Sequence, residues 1–460
     1  MIDALLATWS QALGPDGVLV DPDAMAPFLA DWRGVFFGRA LAVVRPRSVE
    51  AVSRVLKDCI EHRIAVVPQG GNSGLAAAAT PLDLERAIVM NLSRMNRIRA
   101  LDPQGYTVTV DAGCVLADVQ AAAEEAGRYF PLSLAAEGSA QIGGLIATNA
   151  GGTAVLRYGS MRALVLGLEV VLADGSIVDG MRALRKDNAG YDWKQWFVGS
   201  EGTLGVVTGA VLRLFAPQRS VMTALLSHPS LDGIMAAFAH AQEHLGDCLV
   251  AAELFPDTAV AMRLEQRSPR EFPLARSEWY LLVEASSSIE GLADRLEAAL
   301  LDVLDASGCD AVVAQSGAQR EGLWDWRESI SETERRAGKS AKHDVSVPVS
   351  SIAGFISEAN AALMRTYPAC TPLPFGHAGD GNIHYNVVLP SNGGVEPGEL
   401  NALVHGVVAR YRGSITAEHG IGRYRRSELP LHRSPQEMAL LHAIKSAMDP
   451  AGIMNPGAVL

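Results

Sequence analysis

The densest set of groups able to do chemistry lies in Phe375-Gly376-His377-Ala378-Gly379-Asp380-Gly381-Asn382-Ile383-His384-Tyr385-Asn386-Val387. Its first half reads as a glycine loop and its second half as a strand. On a strand, His384 and Asn386 project to the same face. His377 can fold back through the flexible glycines to meet His384. Two imidazoles so joined can hold zinc or a similar divalent metal, but two ligands are too few. Ala417-Glu418-His419-Gly420-Ile421-Gly422 offers a third, the hard oxygen of Glu418, with His419 pointing elsewhere on the turn. Two histidines and one carboxylate leave positions open, as a catalytic metal requires. The alternative is a polar loop of hydrogen-bonded histidines. Spacing does not decide between them, because H-x₆-H is not a fixed motif.

A cationic element accompanies this set. A helix is expected over 324–336, on which Arg327 and Ser331 are four apart and share a face. The strand-like Ala341-Lys342-His343-Asp344-Val345-Ser346-Val347-Pro348 follows. Arginine offers a planar fork suited to a carboxylate, and Lys342 adds a point charge. Equally, Arg327 could pair with Glu328, Glu332 or another surface acid.

These groups need a scaffold. Residues 41–67 read as strand, helix, strand, with Ser48 capping a helix that carries Val49, Val52, Val55, Leu56 and Cys59 at helical spacing. The second strand runs into Pro68-Gln69-Gly70-Gly71-Asn72-Ser73-Gly74. Asp174-Gly175 is a hairpin turn. From about Pro217 long helical patterns alternate with strands, which predicts helices packed on one face of an antiparallel sheet. An amphipathic helix is expected over 434–448. The class is α+β, with domains at 1–217, 218–426 and 427–460, the last a helical segment returning to the first.

The glycines point to an extended ligand. Gly70, Gly71 and Gly74 follow a strand, where backbone N–H groups can form a concave anion site. Asn72 and Ser73 add side-chain hydrogen bonds, and a pyrophosphate is the natural occupant. A bare tight turn is the alternative. A second stretch, Glu137-Gly138-Ser139-Ala140-Gln141-Ile142-Gly143-Gly144, leads to Thr148-Asn149-Ala150-Gly151-Gly152. A third is Gly199-Ser200-Glu201-Gly202-Thr203-Leu204-Gly205-Val206-Val207. So many glycines leave little to pack unless a ligand fills the space.

In this order the motifs P-x-G-G-N-S-G-L, G-S-x-x-I-G-G-x-x-A-T-N-A-G-G, R-Y-G and V-G-S-E-G-T-L-G-V-V-T resemble the vanillyl-alcohol-oxidase (PCMH-type) FAD-binding domain. The resemblance implies that residues 70–74 wrap the FAD pyrophosphate. It implies that Gly138, Ser139, Gly143, Gly144, Asn149 and Gly151 line the flavin, and that Gly205, Val206 and Val207 support the cofactor's rings. Pro68, Leu75, Ile142, Thr148, Glu201 and Asn455 are the further cofactor positions it implies. Members that attach FAD covalently use a histidine in the first loop; Asn72 stands at that place, so FAD is expected to be non-covalent.

The second domain carries W-x-x-R-E, K-x-D-V-S-V-P, G-H-x-G-D-G-N-x-H-x-N and A-E-H-G-I-G. These resemble the D-lactate, glycolate and D-2-hydroxyglutarate dehydrogenase branch, and most of all its D-2-hydroxyglutarate dehydrogenases. By that resemblance His377, His384 and Glu418 bind zinc or another divalent metal. Arg327, Ser331 and Lys342 hold substrate carboxylates, Asn386 hydrogen-bonds substrate, and His419 is the base. Members can carry Thr where this chain has Ser331, so the pocket differs by a methyl. The expected chemistry is oxidation of a D-2-hydroxy acid: the metal lowers the hydroxyl pKa, His419 takes the proton, and hydride leaves for flavin N5. D-lactate or glycolate oxidation, an ether-forming exchange on the same scaffold, and a flavin subunit of a glycolate-oxidising complex are the alternatives.

Composition bounds the partners. The net charge of −12 over 460 residues argues against nucleic acid. Five cysteines without a C-x-x-C show no iron–sulfur motif. The first ten residues contain Asp3 and no basic region, and no apolar run approaches the roughly 20 residues of a membrane span. The expectation is a cytoplasmic protein with a separate electron acceptor, such as electron-transferring flavoprotein. A homodimer is left open.

Overall fold

The computed structural model describes residues 2–268, 270–391 and 393–460. Met1, with which the expected first domain opens, lies outside them. The chain divides into two compact units. The first comprises Met1–Gly152, Gly159–Pro217 and Glu418–Leu460; the second comprises Thr153–Tyr158 and Gln218–Ala417. The return to the first unit thus comes at Glu418, ahead of the Arg426 boundary read from the sequence.

The first unit holds two sheets. One contains β1 (Val18–Leu19), β2 (Ala42–Val44), β3 (Ala65–Gln69) and β4 (Ala87–Asn91) in the order β1-β2-β4-β3. β2, β4 and β3 run parallel. Every residue of β2 and β4 is buried, as continuous apolar runs require in a strand covered on both faces. Between β2 and β3 lies α1 (Val49–His62), which buries Val52, Val55, Leu56 and Cys59. The Ser48 hydroxyl accepts the Ala51 N–H at 3.3 Å, satisfying one of the helix's first free donors. The other sheet contains β5 (Ile98–Asp102), β6 (Thr107–Asp111), β7 (Val165–Val171), β8 (Ile177–Gly180) and β9 (Val206–Arg213), in the order β5-β6-β9-β7-β8. Asp174 accepts the Ser176 N–H at 2.8 Å and closes the β7–β8 hairpin. A short helix, α2 (Ile142–Ala147), opens from the second glycine stretch.

The second unit is built on one antiparallel sheet. Its strands are β10 (Ser220–His228), β11 (Leu249–Pro256), β12 (Trp279–Ser287), β13 (Asp310–Val313), β14 (Ser340–Ala341), β15 (Asp344–Ser346), β16 (Thr371–His377) and β17 (Asn382–Val388). The order is β13-β10-β12-β11-β16-β17-β14, with β15 also on β17. Its helices include α3 (Leu231–Leu245), α4 (Ala293–Ser307), α5 (Gly317–Glu328), α6 (Ile330–Ala337), α7 (Ile352–Thr366) and α8 (Pro397–Arg410).

Helices on one face only were expected; both faces are covered. Leu281 and Val283 pack with Phe238, Leu300, Phe355 and Val404 on one side. Tyr280 and Leu282 pack with Leu323, Trp326 and Ile330 on the other. All nine residues of β12 are buried, so alternate side chains feed two separate cores. Each such apolar side chain contributes about 1.5–3 kcal/mol.

The single helix expected over 324–336 is two. Ser329 ends α5 and starts α6. The Arg263 guanidinium takes the Asp325 carbonyl at 2.6 Å just where α5 would continue.

In the first unit again, α9 (Pro435–Met448) starts at a capping box of Ser434 and Glu437. Lys445 ties it down, donating to the carbonyls of Thr203 and Met454 at 2.7 Å each. No described helix is long and apolar enough to cross a membrane.

Candidate functional site

In the first unit the three glycine stretches line one cleft. β3 delivers the chain into the first loop, which packs backbone against backbone. A Cβ on Gly71 would lie 1.8 Å from the Ser139 carbonyl oxygen. On Gly143 it would lie 2.8 Å from the Ala112 Cβ, which lets α2 sit on the end of β6. By contrast Gly74 and Gly144, both lining the cleft, have nothing within 4 Å of a Cβ. Their missing side chains leave open space. The Gln141 side-chain oxygen is buried there without a hydrogen-bond partner. A long cofactor with polar and aromatic parts fits such a cradle.

Of the residues expected at a cofactor, Pro68, Gly70, Gly71, Asn72, Ser73 and Gly74 line this cleft. Gly143, Gly144, Thr148, Glu201, Gly205, Val206 and Val207 do too. Leu75, Gly138, Ser139, Ile142, Asn149, Gly151 and Asn455 are not in its lining. Ile142 is fully buried in the core. Asn149 accepts from the Ser160 hydroxyl and the Arg162 N–H at 2.9 and 3.0 Å. Asn455 donates to the carbonyls of Ala78 and Glu201. The Asn72 amide donates to the Ala30 carbonyl at 2.8 Å and anchors the loop at the cleft wall. Gln69, Gln141 and the wall at residues 76–80 were missed. Gln141 was visible in principle, standing between two glycine runs without capping its helix. His419 also lines this cleft.

In the second unit the β16–β17 hairpin sets the geometry. His377 is the last residue of β16 and pairs with Asn382, while Phe375 pairs with His384. The loop is therefore confined to 378–381, and the segment before His377 is strand, not loop. His377 and His384 are diagonal neighbours on one face, with ring centroids 5.8 Å apart and imidazole nitrogens within 4.8 Å. On the other flank of β17, Asp344 pairs with His384, its carboxylate 3.7 Å from Nδ1.

A residue that sequence reasoning missed organises this face. Glu253 of β11 stands directly across from His377. Its Oε1 accepts from His377 Nδ1 at 2.5 Å, and its Oε2 accepts from Arg327 Nε at 2.7 Å. Burial pushes the Glu253 carboxyl up, but His377 and Arg327 outweigh it and hold the group down at about 2. The signal was a lone acid in the buried strand Leu249–Pro256, where a charge needs a partner.

Arg327 is buried at the end of α5, with its cation 4.9 Å from the Phe375 ring centroid. It pairs with Glu253 and not with Glu328 or Glu332. Among the described residues its two terminal nitrogens make no hydrogen bond. Ser331 is exposed on α6, whereas Arg327 is buried on α5. Asn386 is buried; its amide donates to Glu334 at 2.8 Å and its oxygen accepts the His343 N–H at 3.3 Å. Lys342 is half exposed, 3.5 Å from the same Glu334 carboxylate.

Glu418 and His419 open the last stretch of the first unit. The preceding residue, Ala417, donates its N–H to the Asp344 carbonyl at 3.1 Å, within the second unit. With His377 held by Glu253 at Nδ1, Nε2 is the nitrogen that could ligate a metal, the usual arrangement at a metal-binding histidine. The donor set of two imidazoles suits zinc or a similar divalent ion.

Comparison with known proteins accords with this geometry. Residues 40–180 match the FAD binding domain family, and residues 217–459 match the family described as FAD linked oxidases, C-terminal domain. The chain is 36% identical over 448 residues to the mitochondrial D-2-hydroxyglutarate dehydrogenase of Danio rerio, covering 97% of this chain and 83% of that one. It is 38% identical over 445 residues to that of Bos taurus, covering 96% and 81%. The structure of p-cresol methylhydroxylase with substrate bound is similar with a TM-score of 0.76 at 18% identity, covering 100% of this chain and 96% of that one. A likeness at that identity speaks for the fold alone. The expectation of a cytoplasmic protein is overturned, because these relatives are named as mitochondrial proteins.

Proposed function

The chain belongs to the FAD-linked oxidase family and is an FAD-dependent 2-hydroxy-acid dehydrogenase; from that premise we propose that its substrate is D-2-hydroxyglutarate, oxidised to the 2-oxo acid beside a divalent metal. The observation that carries the reading is the β16–β17 hairpin, which holds His377 and His384 side by side with Glu253 fixing the first imidazole. Glu418, one peptide bond beyond the anchored Ala417, would complete the ligand set. When bound, FAD supplies the two-electron oxidant and the divalent ion, zinc by preference, polarises the substrate's 2-hydroxyl.

The chain's own residues do the rest. Glu253 and Phe375 orient Arg327, and its terminal nitrogens clamp a substrate carboxylate in a bidentate fork. Lys342 meets the second carboxylate of a dicarboxylic acid from the solvent side. Asn386 retains one amide hydrogen for substrate, and the Ser331 hydroxyl extends the polar wall. His419, in the cofactor cleft, takes the hydroxyl proton. Holding C2 in place converts the reaction to an effectively unimolecular one. A separate carrier, such as electron-transferring flavoprotein, then reoxidises the cofactor.

The test is to mix the purified flavoprotein anaerobically with single acids. Bleaching of the flavin by D-2-hydroxyglutarate, with none by the L-enantiomer, is expected. A higher kcat/KM for D-lactate or glycolate would move the substrate to the shorter acids. No bleaching by any hydroxy acid would sink the reading.

A further inference from the structure

The loop that carries Glu418 and His419 belongs to no helix or strand through Arg423. Something else must hold it. Two of its amides, Ile421 N–H and Gly422 N–H, donate to Glu201, one to each carboxylate oxygen, at 2.9 and 2.8 Å. A Cβ on Gly420 would lie 2.6 Å from the same carboxylate, so the loop closes on Glu201 only because that position is glycine, at φ +77°. Glu201 is itself over-determined. It adopts a left-handed φ of +52°, unusual for a residue with a side chain. Its N–H donates to the Ala147 carbonyl at 2.8 Å, and its own carbonyl accepts from Asn455 at 2.7 Å. It is 7% exposed, on the wall of the cleft that His419 also lines.

We propose that Glu201 is a positioning residue: its carboxylate clasps the Gly420-Ile421-Gly422 backbone and so fixes where His419 presents its imidazole. This rests on the reading of His419 as the base. A cofactor contact alone would not require both carboxylate oxygens to face a distant loop's amides. Two parallel N–H bonds to one carboxylate resist rotation as well as translation of the loop. Burial pushes the Glu201 carboxyl up to about 7, while those two N–H bonds and the nearby Arg423 pull it down. The geometry also assigns Gly420 and Gly422 a reason to be glycine. On Gly422, at φ +55°, a Cβ would meet the Ala76 carbonyl oxygen at 1.9 Å.

The experiment uses the full-length FAD-loaded protein in three variants: Glu201→Gln, Gly420→Ala and His419→Gln. The amide of Glu201→Gln keeps one acceptor and turns a donor toward the second N–H. Each variant is measured for FAD occupancy by absorbance, for KM, and for the rate of anaerobic flavin reduction by D-2-hydroxyglutarate. FAD occupancy and KM near wild type, with a reduction rate lower by about 100-fold in both Glu201→Gln and Gly420→Ala, is the expected result. Wild-type reduction by loaded Glu201→Gln, while His419→Gln is slow, overturns the clasp and leaves the base reading intact. Fast reduction by His419→Gln overturns the base reading instead. Loss of FAD from Glu201→Gln overturns the proposal by making Glu201 a cofactor contact. Should that variant not fold, Gly420→Ala carries the same test without touching the carboxylate.

Discussion

The cofactor cleft and the histidine hairpin are built by opposite means. In the first unit the work falls to backbone. Gly71 meets the Ser139 carbonyl, Gly143 meets Ala112, and cleft-lining glycines leave space where side chains would stand. In the second unit it falls to side chains. Glu253, Arg327, His377, His384 and Asp344 come from separate strands and a helix, and meet through ladder register. A backbone-built cleft tolerates many side-chain changes but no added Cβ where backbone meets backbone, as at Gly71. A side-chain-built face should show the reverse, with each loss leaving a buried charge uncompensated.

The sharpest way to break this comparison is Gly71→Ala. One methyl against the Ser139 carbonyl must move backbone, so the variant is expected to purify without FAD. Normal FAD absorbance would show that the loop yields and that the cleft is not backbone-limited. His384→Ala should leave FAD bound while lowering turnover on the order of 10³-fold and removing bound metal from the holoenzyme; normal turnover with metal retained would discard the ligand assignment. Glu253→Gln strips both Arg327 and His377 of their counter-charge. It should cost about 3–5 kcal/mol in thermal unfolding and about 10- to 100-fold in metal affinity or turnover. A loss confined to stability would make Glu253 structural alone.

Two smaller effects sharpen the contrast. Glu201 sits near 7, above its ordinary 4.5. Between those values the folded state keeps a proton that the unfolded state has released, so stability falls as pH rises through this window. Glu201→Gln should lack that contribution, on the order of 3 kcal/mol, when unfolding is followed from pH 4.5 to 7; parallel curves for the two proteins would refute the shift. Lys342→Ala, at a half-exposed position, should raise KM for D-2-hydroxyglutarate by roughly tenfold with kcat nearly unchanged. An equal rise for D-lactate, which lacks the second carboxylate, would place Lys342 at the shared one.

The glycine stretches were legible because each is contiguous: a run of residues without side chains declares its own purpose. The β16–β17 hairpin was legible for the same reason, since its two histidines lie within one segment and a turn must bring them together. Glu253 was not. It lies far from His377 in the chain, and nothing in the local pattern of β11 says which strand will pair beside it. Arg327 was identified while its partner was not. The break at Ser329 was hidden as well: no proline or glycine marks it, and Arg263 donates to the Asp325 carbonyl beside it from another helix. Asn72 and Asn149 were read as ligand contacts; in the fold both stand at left-handed φ and hydrogen-bond to backbone and neighbouring side chains, and Asn72 also lines the cleft.

The amino-acid order alone determined the local grammar: which segments are strand, helix or glycine loop, and that an FAD-type cradle precedes a histidine-rich hairpin. Those features depend on neighbours a few positions apart, where covalent geometry and hydrogen bonding act directly. Which acid fixes His377, which carboxylate clasps the His419 loop, and which asparagines face a ligand were decided by strand register and loop packing. A one-residue shift in register turns a side chain to the other face of a sheet, and only the assembled cores select among those shifts.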